Sequence, residues 1–384
     1  MQIMPRTLSR THRQTFSLLP ATHGPLQEMI RPESYHLDVT EHVVRVKKGT
    51  FVKRGEVLAE SIMPDRGTLH APEGGKVTSS DGFYLVILPS RESANDTLPR
   101  FAEEQTPRAL KRYLGEMGVD TSGLRSATTL IINGLNTEPG LQVATLVLDE
   151  YREILEQGLK LVESIVRPEK RILALPKGDT YGLGNLRVVG ITPTYPKGLH
   201  PLLASRITGR ENDRNVLVLD VTTLYDIGCV AGCGLPVTHT LMSINGNTYQ
   251  VAIGTPVRTI LDHLGITVHP NDRVVLGGPL RGQTLYSLDQ GVNKSHRGLF
   301  VIPADSSPAI RDIPCIGCGE CVRHCPARLR PDLITRYAEF GLFDRIDNRA
   351  LNQCFECGLC GFYCPIPRPM LQYIRLAREV CRTK

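Results

Sequence analysis

From about Ser34 to Pro89, apolar and polar residues alternate in short runs broken by glycine. His36-Leu37-Asp38-Val39, Val43-Val44-Arg45-Val46 and Val57-Leu58-Ala59 read as strands, and Lys48-Gly49 and Arg54-Gly55-Glu56 as turns. Between about residues 100 and 235 strand-like and helix-like stretches alternate, which predicts an α/β layer arrangement. Thr128 to Gly134 reads as a buried strand ending in a turn, Leu146 to Val166 as a helix, and Arg171 to Leu175 and Val216 to Leu219 as further strands. From about Pro236 to Pro303 short strands return. Thr238–Ile244 and Thr248–Ile253 flank Asn245-Gly246-Asn247, a strong hairpin signal, and a short helix is expected over Pro256–Leu264. The segment after about Ser306 is helical in pattern, and the first 25 residues read as an extended or poorly ordered arm.

The helical tail carries the chemistry. Cys315, Cys318, Cys321 and Cys325-Pro326 form C-x2-C-x2-C-x3-C-P, and Cys354, Cys357, Cys360 and Cys364-Pro365 repeat it. Three cysteines two residues apart can wrap a tight turn around one iron-sulfur cube, and in two-cluster proteins of this pattern the fourth ligates the other cluster. The spacing therefore predicts one [4Fe-4S] cluster on Cys315, Cys318, Cys321 and Cys364 and a second on Cys354, Cys357, Cys360 and Cys325. Gly317, Gly319 and Gly358 lie between ligands, where backbone must approach sulfide closely. Structural zinc pairs two C-x2-C knuckles and leaves the third cysteine of each run without a role. Between Cys325 and Cys354 lie 28 residues with Leu329, Leu333, Tyr337, Phe340 and Phe343 at helical intervals, which favours an all-helical ferredoxin over one joined by a hairpin. His324 falls outside the ligand spacing, and Cys229 and Cys233 read as two small buried thiols, with Cys381 a free thiol at the surface or on a helix face.

Composition narrows the class. The 384 residues suit several domains of a soluble cytosolic protein, and no apolar run reaches the length of a membrane span. A net charge of +6 is spread along the chain, without the concentrated basic face that nucleic acid would require. It suits a weakly basic surface or docking to acidic partners or anionic lipid headgroups. No Ser/His/Asp or paired-carboxylate arrangement can be argued from sequence, so no catalytic residue is assigned.

Two resemblances add to this reading. The Ser34–Pro89 pattern resembles biotinyl/lipoyl barrel-sandwich domains, which carry a prosthetic group on a lysine at a hairpin tip; the matching stretch here, Ile62-Met63-Pro64-Asp65-Arg66-Gly67, has no lysine, so neither biotin nor lipoate is expected. The chain as a whole, from about residue 30, resembles the C subunit of the Rnf ion-translocating oxidoreductase complex. The matching stretches are Thr129 to Gly134 with Glu138-Pro139, Thr194-Tyr195-Pro196-Lys197-Gly198, Leu203 with Thr208-Gly209-Arg210, Gly254-Thr255-Pro256, Leu276-Gly277-Gly278-Pro279, and the cluster runs closing on Gln372-Tyr373-Ile374-Arg375.

That resemblance implies a multidomain α/β and α+β chain: an N-terminal arm (1–25), a barrel-sandwich hybrid domain (26–95), an α/β domain similar to the flavoprotein of respiratory complex I (96–235), a β-grasp module (236–304) and a helical two-cluster ferredoxin domain (305–384). It implies an electron-transfer subunit at the inner face of the cell membrane, taking electrons from a redox donor protein and passing them to membrane-embedded subunits, with no transmembrane segment of its own. It also implies FMN and NADH in the α/β domain. There the sequence departs from the family, because the segment Arg100 to Ser126 has only Gly115, Gly118 and Gly123, and Gly182-Leu183-Gly184-Asn185 sits after a later strand. A degenerate nucleotide site is therefore expected, with a flavin site built differently as the alternative. The competing functions are an FMN-dependent NADH dehydrogenase subunit and a soluble reductase partner of another redox enzyme.

Overall fold

The computed structural model describes residues 16–19, 24–90, 106–210, 213–306 and 313–382. Strand β1 (Gln27–Glu28) precedes two small sheets. One contains β2 (Tyr35–Asp38), β4 (Phe51–Val52), β7 (Gly75–Ser80) and β8 (Tyr84–Pro89), and the other contains β3 (His42–Val44), β5 (Val57–Ser61) and β6 (Leu69–His70). Alternate residues from both close on one apolar core, with Leu37, Leu58, Val77, Leu85 and Ile87 fully buried. The base of the turn after β5 touches the segment that follows. Arg66 faces Asp120, Lys111 reaches Asp65, and the amides of Thr121 and Thr68 donate to Asp65 and Gly115. Ile62 and Met63 at the tip stay exposed, so the contacts are confined to the base of the turn.

After α1 (Pro107–Glu116) come β9 (Thr129–Asn133), α2 (Val143–Glu150), α3 (Arg152–Val166), β10 (Lys170–Pro176), β11 (Arg187–Ile191), α4 (His200–Thr208), β12 (Val216–Asp220) and α5 (Val221–Cys233). The four strands are all parallel in the order β11-β10-β9-β12. β9 is buried at every residue, as a central parallel strand covered on both faces must be. The expected single helix over Leu146–Val166 is two helices meeting at Tyr151, whose ring packs edge-on against Tyr225. In α5, Cys229 is half-buried and Cys233 exposed rather than buried, because the last turn of the helix leaves the core.

A six-stranded sheet follows, formed by β13 (His239–Ile244), β14 (Asn247–Ala252), β15 (Arg273–Leu276), β16 (Gln283–Thr284), β17 (Gly298–Ile302) and the early strand β1. Asn245 (φ 48°) and Gly246 (φ 80°) make the hairpin turn, and α6 (Val257–His263) packs on this sheet. The last segment has no strand among its described residues. Its helices are α7 (Glu320–Arg323), α8 (Pro331–Glu339), α9 (Asn348–Gln353), α10 (Leu359–Phe362) and α11 (Met370–Arg382), around a core that includes Ile334, Leu351, Ile374 and Ala377. Cys381 lies half-buried on α11. No helix of the described residues is long and apolar enough to cross a membrane.

Candidate functional site

The eight motif cysteines lie around two cavities. The outer one, about 410 Å³, is lined by Cys315, Cys318, Cys321 and Cys364; the inner one, about 20 Å³, by Cys325, Cys354, Cys357 and Cys360. Each cavity thus draws three cysteines from one run and the last cysteine from the other. Among the described residues, no three His, Cys, Asp or Glu side chains close tightly enough to hold a single metal ion. The outer cavity has room for a multi-atom cluster, whereas the inner thiols close on the space of about one water, so there the repeated donor set carries the assignment.

The backbone conformation follows from the glycines. Gly317 (φ 67°) and Gly319 (φ 75°) turn the outer run, and Gly358 (φ 73°) opens α10 in the inner one. At the position matching Gly317 stands Glu356, also left-handed at φ 50°. Its carboxylate takes Arg375 at 3.0 Å and also pairs with Arg378, so α11 grips the turn through ion pairs. Amides point toward the sulfurs, Leu329 N to Cys325 Sγ and Glu356 N to Cys354 Sγ, both at 3.4 Å. Burial pushes the Cys321 and Cys357 thiols up to about 11 and raises Cys354 and Cys360 as well. Such thiols ionise only beside compensating positive charge, which coordinated iron supplies. Donor set, amides and glycines fit two [4Fe-4S] clusters.

The inner site is built into the rest of the molecule. Tyr195 donates its hydroxyl to the Cys357 carbonyl at 2.6 Å, and burial raises that hydroxyl well above the ordinary phenol range. Phe16 and Leu18, from the N-terminal arm, share an apolar cluster with Tyr195, Leu199, Cys357 and Leu359. Gly358 lies against Leu280, and Arg375 donates to the Arg281 carbonyl at 2.7 Å. The Leu280 and Arg281 amides in turn bind the buried Glu138 carboxylate at 2.9 and 3.0 Å. Glu138-Pro139 and Leu276-Gly277-Gly278-Pro279 are therefore contact motifs: a Cβ on Gly278 would sit 2.0 Å from Glu138. Tyr195 carries no sequence signal for its role, since its partner is 162 residues away.

A third cavity, about 760 Å³, opens where the strand order reverses, between the C-terminal ends of β9 and β12. In open α/β sheets ligands bind at such a point. Here the chain's own groups already engage both helix starts that border the cavity. Gln142 N donates to Ser243 Oγ, and Ala144 N donates to Asn136 Oδ1, so two amides at the start of the helix after β9 are already taken. The N-cap of α5 is Asp220, 2.9 Å from His200 and 2.7 Å from Asn133. Although burial opposes it, these partners hold the Asp220 carboxyl below its usual range, so a negative charge stands at the helix end that would attract an anion. Asp226 is paired with Arg297, and Lys294, lowered by burial to about 8, donates to the carbonyls of Gly67 and Gly118 at 2.9 Å. Gly118 lies against Thr68 and His70, while Gly123 has nothing within 4 Å. The part of the glycine-poor segment before residue 106 lies outside the described residues. Neither helix start that borders the cavity is thus an unopposed anion site, although Arg66 and Arg281 line the same cavity.

Residues 314–366 match the family model of a 4Fe-4S dicluster domain. The chain is 26% identical over 373 residues to the C subunit of the ion-translocating oxidoreductase complex of Rhodobacter capsulatus, covering 84% of this chain and 72% of that one. It is likewise 26% identical over 419 residues to the C subunit of the Na(+)-translocating ferredoxin:NAD(+) oxidoreductase complex of Acetobacterium woodii, covering 96% and 94%. Among solved structures, a chain of an NAD+-reducing [NiFe]-hydrogenase aligns with TM-score 0.43 and 14% identity over 71% of this chain and 62% of that one. Both relatives are C subunits of translocating oxidoreductase complexes and both align over most of this chain, so the protein is a 26%-identical homologue of such subunits that carries a 4Fe-4S dicluster domain at residues 314–366.

Proposed function

We propose that the chain is an electron-transfer subunit of an Rnf-type complex, passing electrons from a redox donor protein to membrane-embedded subunits at the inner face of the membrane. Cys315, Cys318, Cys321 and Cys364 hold one [4Fe-4S] cluster, and Cys354, Cys357, Cys360 and Cys325 the other. The carrying observation is the exchange of the fourth cysteine between the two thiol groups. When bound, each cluster supplies one-electron chemistry; the chain fixes position, surroundings and access. The other parts act as scaffold: a barrel-sandwich hybrid in residues 26–95, a flavoprotein-like α/β unit in 96–235 and a β-grasp module in 236–304. Anaerobic reconstitution should give about eight irons and eight sulfides per chain. Iron uptake without matching sulfide would sink the assignment.

A second reading makes the chain an FMN-dependent NADH dehydrogenase subunit. It is favoured by one observation: Arg281 lines the crevice while its neighbour Leu280 touches the inner cysteine run. The occupied amides of α2 and the Asp220 charge at the start of α5 speak against it. Titrating the reconstituted holoprotein with NADH should leave the cluster absorbance near 420 nm unbleached (roughly where thiolate-to-iron charge transfer absorbs). Rapid bleaching, with FMN at one per chain, would establish the dehydrogenase reading instead.

A further inference from the structure

The last residue before the fourth cysteine is His324 in the first run and Tyr363 in the second. These two side chains stack, with centroids 3.6 Å apart and planes at 14°. We propose that the stack is a strut that sets the spacing and orientation of the two cluster sites relative to each other; the proposal rests on the two-cluster reading above.

Backbone and chemistry both point this way. α7 and α10 are four-residue helices that each start at a left-handed glycine, Gly319 or Gly358, and end at His324 or Tyr363 with nearly the same dihedral angles. One helical turn has almost no cooperative rigidity of its own, so side-chain packing must orient it. Each ring is also one peptide from a cysteine that crosses to the other thiol group: His324 precedes Cys325 at the inner cavity, and Tyr363 precedes Cys364 at the outer one. A shift of the stack therefore moves a ligand of both clusters.

The rings are held from outside as well. His324 Nδ1 lies 3.0 Å from the Glu320 carbonyl and 3.4 Å from the Glu320 carboxylate. Tyr363 meets Phe362 edge-on at 5.1 Å, and Phe362 meets Phe16 edge-on at 4.9 Å. The strut is thus braced against the N-terminal arm. Aromatic pairs have preferred separations and tilts, so moving one ring against the other costs energy.

The test uses the full-length, anaerobically reconstituted protein. Two reduced clusters close in space split or broaden each other's electron paramagnetic resonance signals, which reports their separation. With about eight irons retained, Tyr363→Ala should change that splitting and both midpoint potentials, whereas Tyr363→Phe, which keeps the ring, should leave them as in the parent. An unchanged splitting in a fully loaded Tyr363→Ala overturns the strut. If that variant does not load, His324→Ala and His324→Phe decide: loading or parental splitting in the ring-retaining variant alone supports the strut, and equal behaviour of the two overturns it. A parent protein that binds no clusters would instead sink the electron-transfer reading.

Discussion

The two cysteine runs have one spacing and nearly one backbone, yet they stand in opposite surroundings. At matched positions the outer run has Ile316, 65% exposed, Glu320 and the exposed Arg323; the inner has Phe355, the buried Leu359 and Phe362. Cys318 is exposed, while its counterpart Cys357 is buried under Tyr195. Ligand spacing therefore fixes what a run can bind, and the residues between ligands fix what it leans on. The inner site is wired into the body of the molecule and the outer one faces solvent.

The largest test breaks the symmetry at a ligand. Cys325→Ser removes a thiol that lies in the first run but lines the inner cavity. Iron should fall from about eight to about four per chain, and the lost paramagnetic signal should be that of the inner cluster. Loss of only the outer signal would show that each run holds its own cluster and that the exchange is wrong.

Next comes the packing beneath the inner site. Phe16 is 9% exposed and touches Phe362, so Phe16→Ala should cost about 3 kcal/mol. Tyr195→Phe keeps the ring but leaves the Cys357 carbonyl without its donor, at about 1–3 kcal/mol. Both should lower the urea midpoint of the holoprotein and expose the inner cluster to chelators, with little effect on the outer one. Equal labilisation of both clusters would mean that the two sites melt as one unit.

What can be read from sequence follows the range of each interaction. The cysteine runs, the Asn245-Gly246 hairpin and the buried strand Thr129–Asn133 are local patterns, and each is visible within a dozen residues. The edge strand β11 leaves no such trace, because Arg187, Val188 and Gly190 are exposed and give no clean alternation. The break at Tyr151 is hidden too, since Tyr225, the ring it packs against, lies in another helix. The asymmetry of the two sites is invisible for the same reason. Phe16, Tyr195 and Leu280 converge on the second run from three distant parts of the chain. The stack of His324 on Tyr363 joins two residues that spacing marks only as non-ligands.

The finest test compares two glycines that the repeat makes equivalent. Gly319 and Gly358 open α7 and α10 with φ of 75° and 73°, so alanine meets the same backbone penalty at either, about 1–2 kcal/mol. A Cβ on Gly319 would meet nothing within 4 Å, whereas one on Gly358 would lie 2.2 Å from the Leu280 carbonyl oxygen. Gly319→Ala should therefore show the backbone penalty alone. Gly358→Ala should add about 1–3 kcal/mol of overpacking, because the obstacle is backbone that Glu138 holds in place through the Leu280 amide. The difference between the two urea midpoints then isolates the docking of the inner run from the shared strain of the turn. Equal losses at the two positions would mean that the inner run does not press on Leu280 in solution, and the contrast between a docked and an exposed cluster site would fall with it.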